Sequence, residues 1–392
     1  MKPLRLKRRE ERRIRAGHLW VYSNEVDTAA TPLKEFDRGQ LAELQDASGA
    51  PLGTVYVNPN TLLSARLLSR KRAVQPDTDW FIRRLRKALA LREALYQEPY
   101  YRWVYGEADG LPGLVVDRYG PVLSVQVTTA GMEVMRPLIE TALQAVVPVD
   151  GILWRDDAAA RELEGLPDGL RTTGNVPDEV TVRDNGIEFR VNLAAGQKTG
   201  WYFDQRDNRA RLARYAAGRR VLDLYAYAGA WGLAALKQGA SAALAVDSSV
   251  GALALADRAA VESGLALQTR QGQVAEVLAM LQADGERFGL CIVDPPALIK
   301  RKKDYDAGFQ HYVKINQAAI ELLEDDAWLV SCSCSHHLSR ESLRKAVLQA
   351  ARKAGRQLQI VETGAQSADH PVHPAMPETA YLDVLFCRVT GA

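Results

Sequence analysis

The chain has 392 residues, 47% hydrophobic and 25% charged, with a formal net charge of +2, which is enough apolar material for two or three cores and so for two to three domains. It contains no apolar run of eighteen residues, and Lys and Arg persist through Arg15, so a membrane helix and a secretory leader are both excluded and a cytoplasmic protein is expected. The four cysteines, Cys291, Cys332, Cys334 and Cys387, lack paired metal-ligand spacing, so thiols in a reducing compartment are expected and no metal site is.

Charge is concentrated at one end. Residues 1–20 carry eight Lys/Arg against Glu10 and Glu11, a local +6 that leaves −4 for the rest. Residues 1–73 read as short β-runs with turns at Asp46-Ala47-Ser48-Gly49 and Asn58-Pro59-Asn60, the pattern of a small barrel. Two further basic clusters follow, Arg66, Arg70, Lys71 and Arg72, then Arg83, Arg84, Arg86 and Lys87. They suit either phosphate contacts or a solvated, salt-bridged face.

A helix over about Thr78 to Gln97 opens a middle domain spanning 74–185, and Asp184-Asn185-Gly186 between two apolar runs signals a hairpin leading into the part spanning 186–392. From Arg219 onward the chain alternates short β-rich runs with helical segments: Val221 to Leu224, Ala242 to Asp247, Leu265 to Thr269, Leu290 to Asp294, Trp328 to Ser331 and Gln357 to Glu362. This alternation predicts an α/β fold with a parallel, doubly wound sheet, whose ligands bind where the strands end.

The residues just past those ends define the ligand. The first strand runs into Asp223-Leu224-Tyr225-Ala226-Tyr227-Ala228-Gly229-Ala230. A dinucleotide fold would want glycines at 225, 227 and 230, and two of these places hold tyrosine, so a pyrophosphate fits poorly. Asp247, at the end of the second strand, can accept both ribose hydroxyls. A ligand with a sulfonium, a carboxylate and an adenosine is therefore expected, namely S-adenosyl-L-methionine. Asp294-Pro295-Pro296 forms a rigid turn after the fourth strand, holding a carboxylate and local carbonyls over the cofactor's methyl group.

Enzymes that methylate an exocyclic base amine usually follow such an acid-Pro-Pro with an aromatic, and position 297 is Ala. Carbon 5 of a pyrimidine needs a thiolate at carbon 6 to become nucleophilic. Cys334 can supply it, with Asp294 as a candidate base for the carbon 5 proton. Cys332 and Cys334 project to the same side of an extended segment, so spacing alone leaves either as the nucleophile, or both as buried strand cysteines. Lys300-Arg301-Lys302-Lys303 directly follows the turn and could hold the backbone of the modified nucleotide. One of His336 and His337 is expected to cap the following helix while the other faces solvent, and no role is read for His370 from spacing.

The stretches Gly196-Gln197-Lys198-Thr199-Gly200-Trp201-Tyr202-Phe203-Asp204-Gln205-Arg206, Asp223 to Gly229, Asp294-Pro295-Pro296, Ser333-Cys334-Ser335 and Ala368-Asp369-His370-Pro371 resemble those of the RlmI family of bacterial 23S ribosomal RNA cytosine-5 methyltransferases. Gly17 to Ser23 and Gly106 to Leu114 extend the resemblance over the chain. It implies a PUA-like RNA-binding domain over 1–73, a small α/β domain over 74–185 and a class I methyltransferase domain over 186–392. A homodimer and large-subunit ribosomal RNA as partner are also implied, with no membrane. The resemblance puts the nucleophile on Cys334, leaving Cys332 incidental, and the cofactor contacts on Gln197, Thr199, Phe203, Asp223, Tyr225, Tyr227, Gly229, Asp247 and Gln273. Gln273 stands where the family usually has an acidic residue, and Ala230 where it has a second glycine. Two rivals remain: a methyltransferase acting on nitrogen without a thiolate, and an inactive RNA-binding assembly factor.

Overall fold

The computed structural model describes residues 1–196 and 199–391, so the expected cofactor contact Gln197 lies outside the described residues. The chain divides into two compact units, the first made of residues 1–180, 192–203 and 368–379, the second of residues 181–191, 204–367 and 380–392.

In the first unit the short β-runs form a five-stranded sheet in the order Lys2–Arg5, Gln40–Gln45, Pro51–Val57, Ala65–Ser69, Trp20–Val21. Its alternate residues Leu4, Val21, Leu44, Val55 and Leu67 bury one apolar face. Helix Thr78–Leu95 starts where the Asp77 side chain accepts from the Trp80 amide at 2.7 Å. With helix Arg136–Val146 it packs on a second sheet, ordered Leu170–Gly174, Gly151–Arg155, Val122–Val127, Leu114–Tyr119, Tyr100–Tyr105. Tyr56 of the first sheet is buried in the same apolar cluster as Trp103 and Val125, and its hydroxyl donates to the Pro112 carbonyl at 2.9 Å. Residues 1–73 and the segment after them therefore share an interior.

Two of the arginines in the basic clusters belong to that interior. Arg66 is buried and pairs with Glu164 at 2.7 Å. Arg84 donates to the carbonyls of Leu68 and Gly110 and lies over the Trp80 ring at 4.1 Å. These two arginines are structural, because Arg66 by burial and Arg84 by its two carbonyl contacts are committed to partners elsewhere in the unit.

In the second unit a hairpin, Val180–Asp184 and Ile187–Val191, turns through Asn185 and Gly186 at φ +51° and +73°, the left-handed pair that a two-residue Asn-Gly turn adopts. The main sheet has seven strands, in chain order Arg220–Leu224, Ala242–Asp247, Leu267–Gln271, Phe288–Val293, Leu323–Ser333, Gln357–Ala365 and Asp383–Thr390. Across the sheet they lie third, second, first, fourth, fifth, seventh, sixth. The wholly parallel sheet expected from the sequence is corrected here: Asp383–Thr390 inserts antiparallel to both of its neighbours.

Alternation along each strand feeds two cores. Leu222, Leu224, Val293 and Leu329 pack under helices Val274–Ala283, Tyr305–Glu321 and Arg340–Lys353. Val221, Ile292, Val330 and Cys332 pack on the other face with Trp231, Ala234 and Leu212. Strands Arg220–Leu224, Ala242–Asp247 and Phe288–Val293, covered on both faces, are buried along most of their length, whereas the edge strands Leu267–Gln271 and Gln357–Ala365 are more polar and more exposed.

Candidate functional site

Strand ends one, two, four and five of the second unit carry Asp223, Asp247, Asp294 and Cys334. Asp223 is fully buried. Its Oδ2 accepts from the Gly232 amide at 2.9 Å at the start of helix Ala230–Lys237, and its Oδ1 has no hydrogen-bond partner among the described residues. Burial pushes this carboxyl up to about 8, the Gly232 amide opposing and the charges of Asp294 and Asp247 adding to it. A buried oxygen without a donor is costly, and an ammonium group is the ligand chemistry that would satisfy it.

The loop beyond Asp223 takes a left-handed conformation at every second residue: Tyr225 at φ +62°, Tyr227 at +49° and Gly229 at +68°. A dinucleotide fold would want glycine at 225 and 227; here the glycine-like backbone carries tyrosine side chains, at a cost of roughly 1–2 kcal/mol each. Gly229 is glycine for a second reason, since a Cβ would stand 2.9 Å from Ala256 and Leu267. The loop is held by its own hydrogen bonds: the Ala226 amide donates to the Val246 carbonyl at 3.0 Å and the Gly229 amide to the Ala226 carbonyl at 2.8 Å. Asp247 accepts from the Tyr227 amide at 2.9 Å and from the Ser249 amide at 2.8 Å, one on each oxygen. It thereby ties the loop to the second strand and keeps lone pairs for hydroxyl donors. Gln273 is exposed, immediately before helix Val274–Ala283.

Asp294 is half-buried, with both oxygens 3.0 Å from Gln205 Nε2 and Oδ2 also 3.0 Å from Trp231 Nε1. Cys334, half-buried one residue past the fifth strand, has its Sγ 3.9 Å from the Pro295 carbonyl, so the thiol sits at the Asp-Pro-Pro turn. Its neighbours are fixed from the opposite face. Ser333 donates to the Tyr312 hydroxyl at 2.9 Å, Tyr312 and Ser335 share a hydrogen bond of 3.0 Å, and Ser335 Oγ accepts from the Ile299 amide at 3.2 Å. These buried groups join strand, helix and turn, leaving Cys334 as the residue between two anchored serines. Cys332 differs: it is fully buried, and burial, then the charge of Asp294, pushes its thiol far up, away from the thiolate form.

Thr199 and Phe203 belong to the first unit. The Thr199 hydroxyl donates to Asp117, which Arg102 grips at 2.8 Å, and Phe203 is buried with its ring 5.4 Å from Tyr119. In the same unit His370 is buried, its Nδ1 2.7 Å from Asp369. His336 and His337 are both exposed, and the cap of helix Arg340–Lys353 is Ser339, accepting from the Ser342 amide at 3.2 Å, which corrects the expectation of a capping histidine. Lys300, Arg301, Lys302 and Lys303 are all exposed just beyond the turn, Arg301 pairing with Asp304 at 2.9 Å. Tyr312, Trp231 and Gln205 were not singled out from sequence. Tyr312 reads there as a core aromatic of an amphipathic helix, and only Gln205, inside a quoted motif, carried any signal.

The family model described as an S-adenosylmethionine-dependent methyltransferase matches residues 154–387, and a PUA-like domain model matches residues 4–70. A Tolumonas auensis protein named ribosomal RNA large subunit methyltransferase I is 36% identical, covering 98% of each chain. The protein of that name from Erwinia tasmaniensis is 34% identical over 97% of each. Among solved structures, a protein designated a methyltransferase, crystallised with SAH, superposes with a TM-score of 0.84 at 21% identity, over 99% of this chain and 100% of the other. A Streptococcus mutans protein designated a SAM-dependent methyltransferase gives 0.82 at 21% identity, with the same coverage.

Proposed function

This chain belongs to the family of S-adenosylmethionine-dependent methyltransferases whose full-length relatives are named ribosomal RNA large subunit methyltransferase I, and from that premise we propose that it forms 5-methylcytidine in 23S ribosomal RNA. The observation that carries the reading is Cys334, a half-buried thiol set at the Asp294-Pro295-Pro296 turn between two anchored serines.

The binding residues fit the methyl donor group by group. Asp223 Oδ1 takes an ammonium, Asp247 the ribose hydroxyls and the Gln273 side-chain carbonyl the adenine amine, with the loop of Tyr225, Tyr227 and Gly229 bordering the cofactor between them. Bound, S-adenosylmethionine supplies a sulfonium methyl group that an activated carbon 5 can take. The Cys334 thiolate bonds to carbon 6 of the cytosine and drives the electron pair onto carbon 5. After methylation the carbon 5 proton leaves to a base, for which Asp294 is a candidate, and the carbon–sulfur bond breaks to restore the ring double bond and the thiolate.

The deciding experiment is transfer of labelled methyl to unmodified large-subunit RNA, followed by nucleoside analysis. Label in 5-methylcytidine is expected. Label on a base nitrogen or on protein would replace this reading with methylation that needs no thiolate.

RNA affinity supplies a second check. Lys300, Lys302 and Lys303 are exposed beside the turn, and three phosphate contacts to a single strand imply a log–log salt slope of about 2 from this run. Replacing the three with alanine is expected to flatten the salt dependence of RNA binding by about that amount, while methyl-donor affinity holds. An unchanged slope would make the run a solvated face.

A further inference from the structure

We infer that Gln205 is a positioning residue that holds Asp294 as an oriented anion, and that this anion fits the site to a base bearing an exocyclic amine. The inference rests on the proposed cytidine chemistry and names how the base would be selected.

An amide side chain is nearly symmetric in shape, so which end faces Asp294 depends on its other contacts. Here those contacts leave no choice. Arg211, a group that can only donate, pairs through Nε with Glu362 at 3.0 Å and gives Nη1 to Asn208 Oδ1 at 2.5 Å. Asn208 must then turn its Nδ2 the other way, where it donates at 2.8 Å both to Gln205 Oε1 and to the Ala365 carbonyl. With its oxygen so engaged, Gln205 presents Nε2 to Asp294, 3.0 Å from each carboxylate oxygen. The Trp231 indole, another pure donor, closes on Oδ2 at 3.0 Å.

The chain is buried, Gln205 at 3% and Asn208 at 0% exposure. The strand beside it yields space: a Cβ on Gly364 would stand 2.2 Å from Asn208 Oδ1. Directed donors favour the charged form of a carboxyl group and fix its orientation, so this setting suits recognition of a donor on the base. A fixed anion accepts from the amine of cytosine and repels the carbonyl that uracil presents at the same place. The titratable groups that interact with Asp294 include Asp223 from the first strand and Cys332 from the fifth, the latter also hydrogen-bonded to Gln205.

Gln205→Glu keeps the shape and replaces the donor with a second carboxyl. Two carboxyls about 3 Å apart share a proton, so the acid limb of the kcat–pH profile is expected to move up by about one unit or more. Activity lost at neutral pH then returns at higher pH, with the methyl-donor KM unchanged. Trp231→Phe, which removes the other donor without adding charge, should move the limb the same way by less. Melting curves and S-adenosylhomocysteine binding confirm that each variant is folded. A profile that does not move, or a loss uniform at every pH in both variants, overturns the inference. A wild-type enzyme that puts no label into cytidine overturns the parent reading instead.

Discussion

Cys334→Ala is expected to lower 5-methylcytidine formation by roughly 10³-fold or more, since no other group replaces a missing nucleophile, while S-adenosylhomocysteine binding stays close to wild type. Cys332→Ala should behave in the opposite way. Its thiol lies in the core with Val330 and Phe386, so truncation should cost on the order of 1–2 kcal/mol of stability and leave turnover within about ten-fold. RNA containing 5-fluorocytidine sharpens the contrast, because fluorine cannot leave as a proton does and the carbon–sulfur adduct should persist. A denaturant-stable protein–RNA complex is expected from wild type and Cys332→Ala, and none from Cys334→Ala. Methyl transfer that survives in Cys334→Ala would exclude the thiolate route and favour a nitrogen acceptor.

This contrast could be drawn only in part from sequence. An i, i+2 spacing places both thiols on one side of the strand, but says nothing of where the sheet stops. The strand ends at Ser333, which leaves Cys332 inside the cluster of Trp231 and Leu382 and Cys334 only partly buried at its margin. The carboxylates were easier to read, because Asp247 and Asp294 each close a short apolar run and Asp223 stands one residue before the end of one, and that local pattern survives folding. Strand Asp383–Thr390 was not recognised. Its partners are Leu323–Ser333 and Gln357–Ala365, and no turn signal links it to the first of these, some fifty residues away. Arg66 and Arg84 were left open for a related reason: a basic cluster looks the same in sequence whether its charges meet phosphate, solvent, a distant glutamate or backbone carbonyls. The orientation of Gln205 was likewise beyond sequence, since it depends on Asn208, Arg211 and Glu362 meeting across three elements.

Asp223 should reverse sign between stability and binding. Its carboxyl lies up at about 8 in the folded chain against 3.8 for the ordinary group, chiefly through burial. Between those values the folded state holds a proton that the unfolded state has released. Stability without cofactor should therefore fall as pH rises from about 4 to about 8, and flatten above it. Asp223→Asn removes the titration while its carbonyl can still accept from Gly232, so the variant should melt higher than wild type at pH 8 and lose this slope. The cofactor sees the reverse. A neutral amide in place of the orphan Oδ1 cannot pair with an ammonium, and losing a charged hydrogen bond of about 1.5–3 kcal/mol should weaken S-adenosylhomocysteine binding by roughly 10- to 150-fold. An ammonium at Asp223 also favours the carboxylate, so binding to wild type near neutral pH should expel a proton, seen in calorimetry as a heat that varies with the ionisation enthalpy of the buffer. The variant should show no such dependence. Equal proton release from both would place the titrating group elsewhere, and tighter binding by the variant would remove Asp223 from the cofactor site.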